Sequence, residues 1–249
     1  MNQGVAMTQT SGHRKHAPSG DDLVEELADL ARSLDEMDGS ASTLDRIVEA
    51  ALTMIPGAQE GSVNLVAARR RVTSAAASGE LPRLADALQT EVGEGSCLDA
   101  IFQHRTVSVP DMVTERRWPA FATRAAHLGA GSMLAFQLYV SGDNLGALNL
   151  HAGHPDAFTD QSERIGIPFA VHAAVALSTV RRSERQQEAM ASRNAIGQAQ
   201  GILMERHRIT AAQAFDRLTA ASQATNVKLR DVAEELARSG HLAGPAGRP

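Results

Sequence analysis

Lysine is almost missing from this 249-residue chain: Lys15 and Lys228 are the only two, and none falls between residues 21 and 180. That gap removes a Schiff-base lysine and a phosphate-loop lysine from most of the sequence, which also has no glycine-rich loop of phosphate-binding spacing. Cysteine is equally scarce. The single Cys97 excludes an intramolecular disulfide framework and any multi-cysteine zinc site, and it fits a reducing compartment. Aromatic residues make up 3%, too few for an extended base-stacking platform. The chain has no uninterrupted apolar run of about 18 residues, and residues 1–20 lack the apolar core of a signal peptide. A cytoplasmic protein without a membrane span is therefore expected.

With 43% hydrophobic residues the chain can bury one sizeable core with a small appendage, or two cores. The net charge of −5 is divided unevenly. Residues 1–180 hold 13 Lys and Arg against 22 Asp and Glu, whereas residues 181–249 hold 11 against 7. A phosphate backbone is repelled by the first part and drawn to the second, so any nucleic-acid surface is expected near the C-terminus.

That C-terminal part reads as three short helices over residues 192–240. Ile196, Ala199 and Leu203 recur at helical spacing in the first. Thr210 with Gln213 is a capping-box signature for the second, lined by Ala211, Ala214, Phe215 and Leu218. Asn226 is expected to cap the third, where Leu229, Val232, Ala233 and Leu236 share a face before Gly240. On the first helix, Arg193, Gly197, Gln200, Gly201, Met204 and Arg208 fall together opposite the apolar stripe. Each glycine there costs about 1 kcal/mol relative to alanine, which implies close approach by another backbone or by a nucleic acid.

Arg193, Ile196, the run Ala-Gln-Gly-Ile-Leu-Met at residues 199–204, Ala214, Phe215, Leu218, Ser222, Asn226, Val232 and Ala233 together resemble the ANTAR domain, the RNA-binding module of bacterial transcription antiterminators. The resemblance implies RNA stem-loops in nascent transcripts as partners. Arg193, Arg208, Lys228 and Arg230 are then expected at phosphates, and Gln200 and the backbone near Gly201 at loop bases. Gln200 stands where that family often has lysine. A receiver domain, often joined to this module, is excluded by the missing lysine.

Upstream, residues 1–20 and 241–249 read as disordered tails, and the cluster His13 to His16 as solvated. Leu23, Leu27, Leu30 and Leu34 line one face of a lead-in helix that, with the connecting helix, is expected to make a homodimer contact. A second helix over residues 42–55 precedes two strands joined by an arginine turn at residues 69–71. Further helices near residues 82–90, 97–102 and 118–128 flank a short strand at residues 106–109. The best hairpin signal joins residues 131–140 and 145–151. A helix from residue 160 is expected to run through a connecting segment, residues 181–191, into the bundle.

This order predicts an α+β fold, an antiparallel sheet flanked by helices and joined by a long helix to the C-terminal bundle. The segment Gly-Glu-Gly-Ser-Cys-Leu-Asp-Ala-Ile-Phe at residues 93–102, the hairpin and the helix after Phe158 together resemble a GAF domain within residues 21–180. The resemblance implies a sensor with a pocket, for which Cys97, Phe102, Trp118 and His127 are candidates by position. The ligand is a small molecule or a redox signal, and no cofactor is assigned.

Cys97 has three readings: a thiolate favoured by a helix start, a bilin attachment point, or a buried small hydrophobe. Leu98 stands where chromophore-binding GAF domains commonly have histidine. His104, His127, His151, His154 and His172 lack metal-site spacing; one could serve as a haem ligand, or all could be surface or hydrogen-bonded histidines. No carboxylate pair or nucleophile-base arrangement appears, so no enzyme is expected. Two functions compete. One is an RNA-binding antitermination regulator governed by the sensor, and the other a GAF-based protein-interaction or dimerisation module without direct RNA binding.

Overall fold

A computed structural model describes residues 20–66, 71–103 and 105–242. Residues 1–19 and 243–249 of the two expected tails, the His13 to His16 cluster, Arg69, Arg70 and His104 lie outside them, whereas Gly20 opens the first helix and Leu242 packs against the C-terminal bundle. Helices α1 (Gly20–Asp35) and α2 (Ser40–Met54) lead into strands β1 (Glu60–Val66) and β2 (Val72–Ala77). Helices α3 (Glu80–Val92) and α4 (Ser96–Phe102), strand β3 (Thr106–Val109) and helix α5 (Pro119–His127) follow. The hairpin of β4 (Ser132–Val140) and β5 (Asp143–Ala152) completes a five-stranded antiparallel sheet in the order β2-β1-β5-β4-β3. The long α6 (Asp160–His207), α7 (Ala211–Thr225) and α8 (Leu229–Ser239) end the chain. The fold is α+β, and the chain divides into two compact units at residues 178 and 179.

In the first unit the sheet is covered on both faces, so strand alternation sorts side chains between two cores. One cluster joins Val63, Leu148 and Leu150 to α2 and to Ile165, Phe169 and Ala173 of α6. The other joins Ala135, Ala147 and Met133 to α4 and α5 through Ile101, Trp118 and Phe121. The β4-β5 turn is tighter than expected. Only Ser141 and Gly142 intervene, with φ of 45° and 90°, the primed-turn geometry that matches strand twist and favours glycine at its second position. Gly146 answers a different need: a Cβ there would stand 1.8 Å from the Asn64 carbonyl oxygen.

Two expectations are overturned. Leu27, Leu30 and Leu34 are buried in the first cluster beside Leu44, Ile47 and Val48, so this stripe belongs to the domain's own core and is not a dimer seam. Leucine periodicity reports burial but not what does the burying. Asn226 does not cap α8 either. It ends α7 in the left-handed conformation, φ 54°, and Lys228 precedes α8 without a side-chain cap. Asparagine serves both ends of helices, so its identity alone did not decide.

In the second unit the end of α6 packs with α7 and α8 through Ala199, Leu203, Ala214, Leu218, Val232, Ala233 and Leu236. The capping box is present: the Thr210 hydroxyl accepts from Gln213 N–H at 3.3 Å, while Gln213 Oε1 accepts from Thr210 N–H at 3.0 Å. The short α7 and α8, of 15 and 11 residues, are marginal alone, and the core they share with the end of α6 holds them. Replacing the fully buried Leu34 by alanine is expected to cost unit 1 about 2–5 kcal/mol. Denaturant unfolding followed by Trp118 fluorescence measures it, and a core residue gives the same loss at low and high protein concentration.

Candidate ligand site and RNA-binding face

Polar side chains interrupt the helix-covered face of the sheet at its centre. Strand alternation turns Glu60, Ser62 and Asn64 of β1 toward that face, and registers them against His151, Asn149 and Ala147 of β5. Five of these six positions are polar, and Ser62, Asn64, Asn149 and His151 are buried. From α3 the buried Asp86 reaches into the row. Its Oδ1 accepts from Asn64 Nδ2 at 2.7 Å and Asn149 Nδ2 at 3.2 Å, and its Oδ2 accepts from the Ser74 hydroxyl at 2.9 Å. Burial pushes the Asp86 carboxyl above the usual carboxylate range, and hydrogen bonds from Asn64, Ser62, Ser74 and Asn149 pull it partly back.

Cys97 sits at the same cluster. Its Sγ accepts from Asn64 Nδ2 at 3.1 Å, and its N–H donates to Gln89 Oε1 at 2.8 Å. Burial, then the neighbouring Asp86 charge, pushes the thiol up to about 12, so it stays protonated at neutral pH. That overturns the thiolate reading, because desolvation and a like charge outweigh any help from the start of α4. His151 is buried with both ring nitrogens unpartnered, and burial pushes it down to about 4.

Of the four pocket candidates, Cys97 and Trp118 share the second core cluster and Phe102 packs against it. Trp118 Nε1 donates to Asp99 Oδ2 at 3.1 Å, and the Arg117 guanidinium lies 4.3 Å from the ring centroid. His127 does not join them. It is exposed at the end of α5, with Nδ1 2.6 Å from the Thr123 carbonyl oxygen. A cleft of about 870 Å³ lies elsewhere in this unit, lined in part by Glu26, Asp29, Arg46, Thr53 and Gln161. Sequence reasoning missed Asp86, Asn64 and Asn149. Their signal is polar residues at every second position of strands buried on both faces.

In the bundle, Arg193, Gly197, Gly201, Met204 and Arg208 are all exposed. A Cβ added at Gly197 or Gly201 meets nothing within 4 Å, so among the described residues no other backbone approaches either glycine. Gly201 borders a shallow groove of about 570 Å³ shared with Gln198, Ile202, Glu205, Arg206 and Ala237. Gln200 is half-buried and donates one Nε2 N–H to the Ala211 carbonyl at 3.0 Å. The cations differ in freedom. Arg230 lies 3.3 Å from Asp231 and 3.5 Å from Glu234, and Arg208 3.9 Å from Glu205, whereas Lys228 and Arg193 have no ion-pair partner among the described residues.

Residues 38–178 match the GAF domain family and residues 184–236 the ANTAR domain family. None of the curated proteins matches the chain. A free methionine-R-sulfoxide reductase from Neisseria meningitidis, solved in complex with its substrate, is similar in structure at 17% identity and TM-score 0.52, covering 69% of this chain and 99% of its own. The GAF domain of a phosphoenolpyruvate-protein phosphotransferase from Coxiella burnetii matches at 15% identity and TM-score 0.52, covering 68% and 99%. A bacteriophytochrome from R. palustris matches at 11% identity and TM-score 0.54, covering 84% and 48%. At these identities the likeness is one of fold. No helix among the described residues is long and apolar enough to cross a membrane.

The depressed His151 pKa sets an acid sensitivity. The unfolded imidazole takes up a proton near pH 6.5 and the folded one only near 4, so His151's contribution to stability is present above pH 6.5 and is lost as pH falls toward 4. Asp86, raised when folded, acts with the opposite sign: its stability is present below the unfolded carboxyl pKa and is lost as pH rises through the folded one. His151→Gln is therefore expected to remove roughly 2–3 kcal/mol of the stability lost between pH 6.5 and 4.5, read from denaturant midpoints of both proteins.

Proposed function

The chain belongs to the GAF domain family and carries an ANTAR domain after it, and from that premise we propose that it is a cytoplasmic, RNA-binding regulator of transcription antitermination. The GAF part senses a small molecule, and the ANTAR bundle binds RNA stem-loops in nascent transcripts. Both are regulatory domains rather than catalytic ones. The observation that carries the reading is the open face of α6, where two exposed glycines have nothing against them and arginines stand at either end. A folded bundle gains nothing from helix glycines that contact none of its own atoms. A nucleic acid that must come close to the helix does.

Unpaired loop bases are the natural target, because side chains cannot enter the deep major groove of an RNA helix. Holding one hairpin in place of a competing terminator lets transcription continue. Because α6 begins in the GAF unit and ends in the bundle, a ligand that shifts its first half acts on the second.

Gly201→Val tests the face cleanly, since the added side chain meets open space among the described residues and leaves the bundle folded. RNA affinity is expected to fall at least about tenfold, and terminator read-through in vitro to fall with it. Arg193→Ala is expected to weaken all RNAs alike and to flatten the salt dependence of binding by about one unit of slope. Equal read-through by wild type and Gly201→Val, on an RNA that wild type binds, would falsify this assignment and favour a protein-interaction module.

A homodimer belongs to the same reading, with a different seam from the leucine stripe. Ile167 and Val171 stand four residues apart on α6 and are 49% and 55% exposed, an apolar patch left open among the described residues of unit 1. Val171→Asp is expected to convert a dimer to a monomer in light scattering without lowering the melting temperature of Trp118 fluorescence by more than a few degrees.

A further inference from the structure

Six buried polar side-chain atoms on the row across β1 and β5 or beside it on α3 lack a partner among the described residues: Asn64 Oδ1, Asn149 Oδ1, Gln89 Nε2, Glu60 Oε2 and the two His151 nitrogens. An unpartnered buried polar atom is costly, and such atoms rarely gather without something that serves them. We propose that this cluster binds a small hydrogen-bond-donating cation, ammonium or a primary alkylammonium head, held by the side-chain oxygens of Asn64 and Asn149, with the Asp86 carboxylate on the other side of the two amides offsetting its charge. The inference rests on the reading of the GAF unit as a sensor and names the ligand class it takes.

The orientation of both amides is forced. Each turns Nδ2 to the Asp86 carboxylate, and a flip would set an oxygen against that negative charge, so each Oδ1 is left facing away and unserved. The remaining atoms are therefore mostly acceptors: two amide oxygens, one Glu60 oxygen and one nitrogen of a neutral His151. Charge points the same way. Asp86 brings a carboxylate to the cluster, while every Arg ion pair of this unit among the described residues lies elsewhere, on Asp29, Glu49, Glu91 or Glu115. Water would serve the acceptors but not offset the buried carboxylate. Ammonium does both and is close to water in size. Gln89 Nε2 supplies a donor for a polar oxygen on a larger amine.

The full chain reports binding through its only tryptophan, because Trp118 lies in the core cluster beside the site. Thermal unfolding is followed by its fluorescence in ammonium chloride, methylammonium chloride, potassium chloride and tetramethylammonium chloride at equal ionic strength. Ammonium and methylammonium are expected to raise the midpoint by about 3–5 °C for each tenfold increase above the dissociation constant. Potassium has the same charge and nearly the same size but donates no hydrogen bond, and tetramethylammonium has no N–H; neither is expected to act.

Asp86→Asn keeps the side-chain shape and should abolish the response. Asn149→Ala, which keeps the carboxylate, should weaken it about tenfold. An equal effect of potassium, no ammonium effect in wild type, or an undiminished response in both variants overturns the proposal. RNA affinity measured with and without ammonium separates the two readings. An Asp86-dependent midpoint shift without a change in RNA affinity leaves the ligand site standing and removes its sensory role.

Discussion

The GAF unit depends on a central strand that has no free side. β5 is paired with β1 along one edge and β4 along the other, and Leu145 through Ala152 are all buried. A strand enclosed in this way must satisfy every polar atom from within the protein, because water reaches neither face. One face does so simply, with Leu148 and Leu150 packed on α2 and α6. On the other face Asn149 finds its partner in Asp86 of α3, Gln89 of the same helix accepts from the Cys97 N–H, and His151 has no partner among the described residues. The helix is therefore tied to the sheet by polar contacts where an apolar core would have sufficed for packing. That excess of polarity sets this part of the face apart from the apolar core beside it.

Much of the architecture was legible because it rests on local patterns. The spacing of Ile196, Ala199 and Leu203, the Thr210 capping box, and the hairpin around Gly142 each depend on residues close in sequence. What was not legible depends on tertiary partners. Leu27, Leu30 and Leu34 form as good a helical stripe in a domain core as in a dimer seam, and only α2 and the sheet decide between them. Asp86 is one more acid on an amphipathic helix until Asn64 and Asn149, from strands far away in sequence, are brought to it. The Cys97 thiol shows the same limit. Its neighbours along the chain favour a thiolate, whereas its neighbours in space hold the proton in place.

The two proposed sites work under opposite electrostatic conditions. At the Asp86 cluster, burial strengthens every hydrogen bond and makes each unserved atom expensive, so a small ion of the right donor pattern has leverage on stability. On the bundle, the cations are exposed and screened by salt, and single contacts count for little. Recognition there must come from several weak contacts and from shape. The glycines contribute to shape by removing side chains rather than by adding contacts.

Gln200 sharpens this point. With one amide N–H donated to the Ala211 carbonyl, it braces the start of α7 against α6 and projects no charge, unlike a lysine at the same position. Positive charge beside this strip is left to Arg193 on α6 and to Arg208, which follows the end of the helix with φ 52°. Between them Gly197, Gly201 and Met204 form an uncharged, shallow strip. Such a strip favours the flat faces of unstacked bases, with phosphates gripped at its ends, over a backbone laid along its length. On the proposed RNA-binding reading, the cations would position the RNA and the neutral strip between them would discriminate among bases.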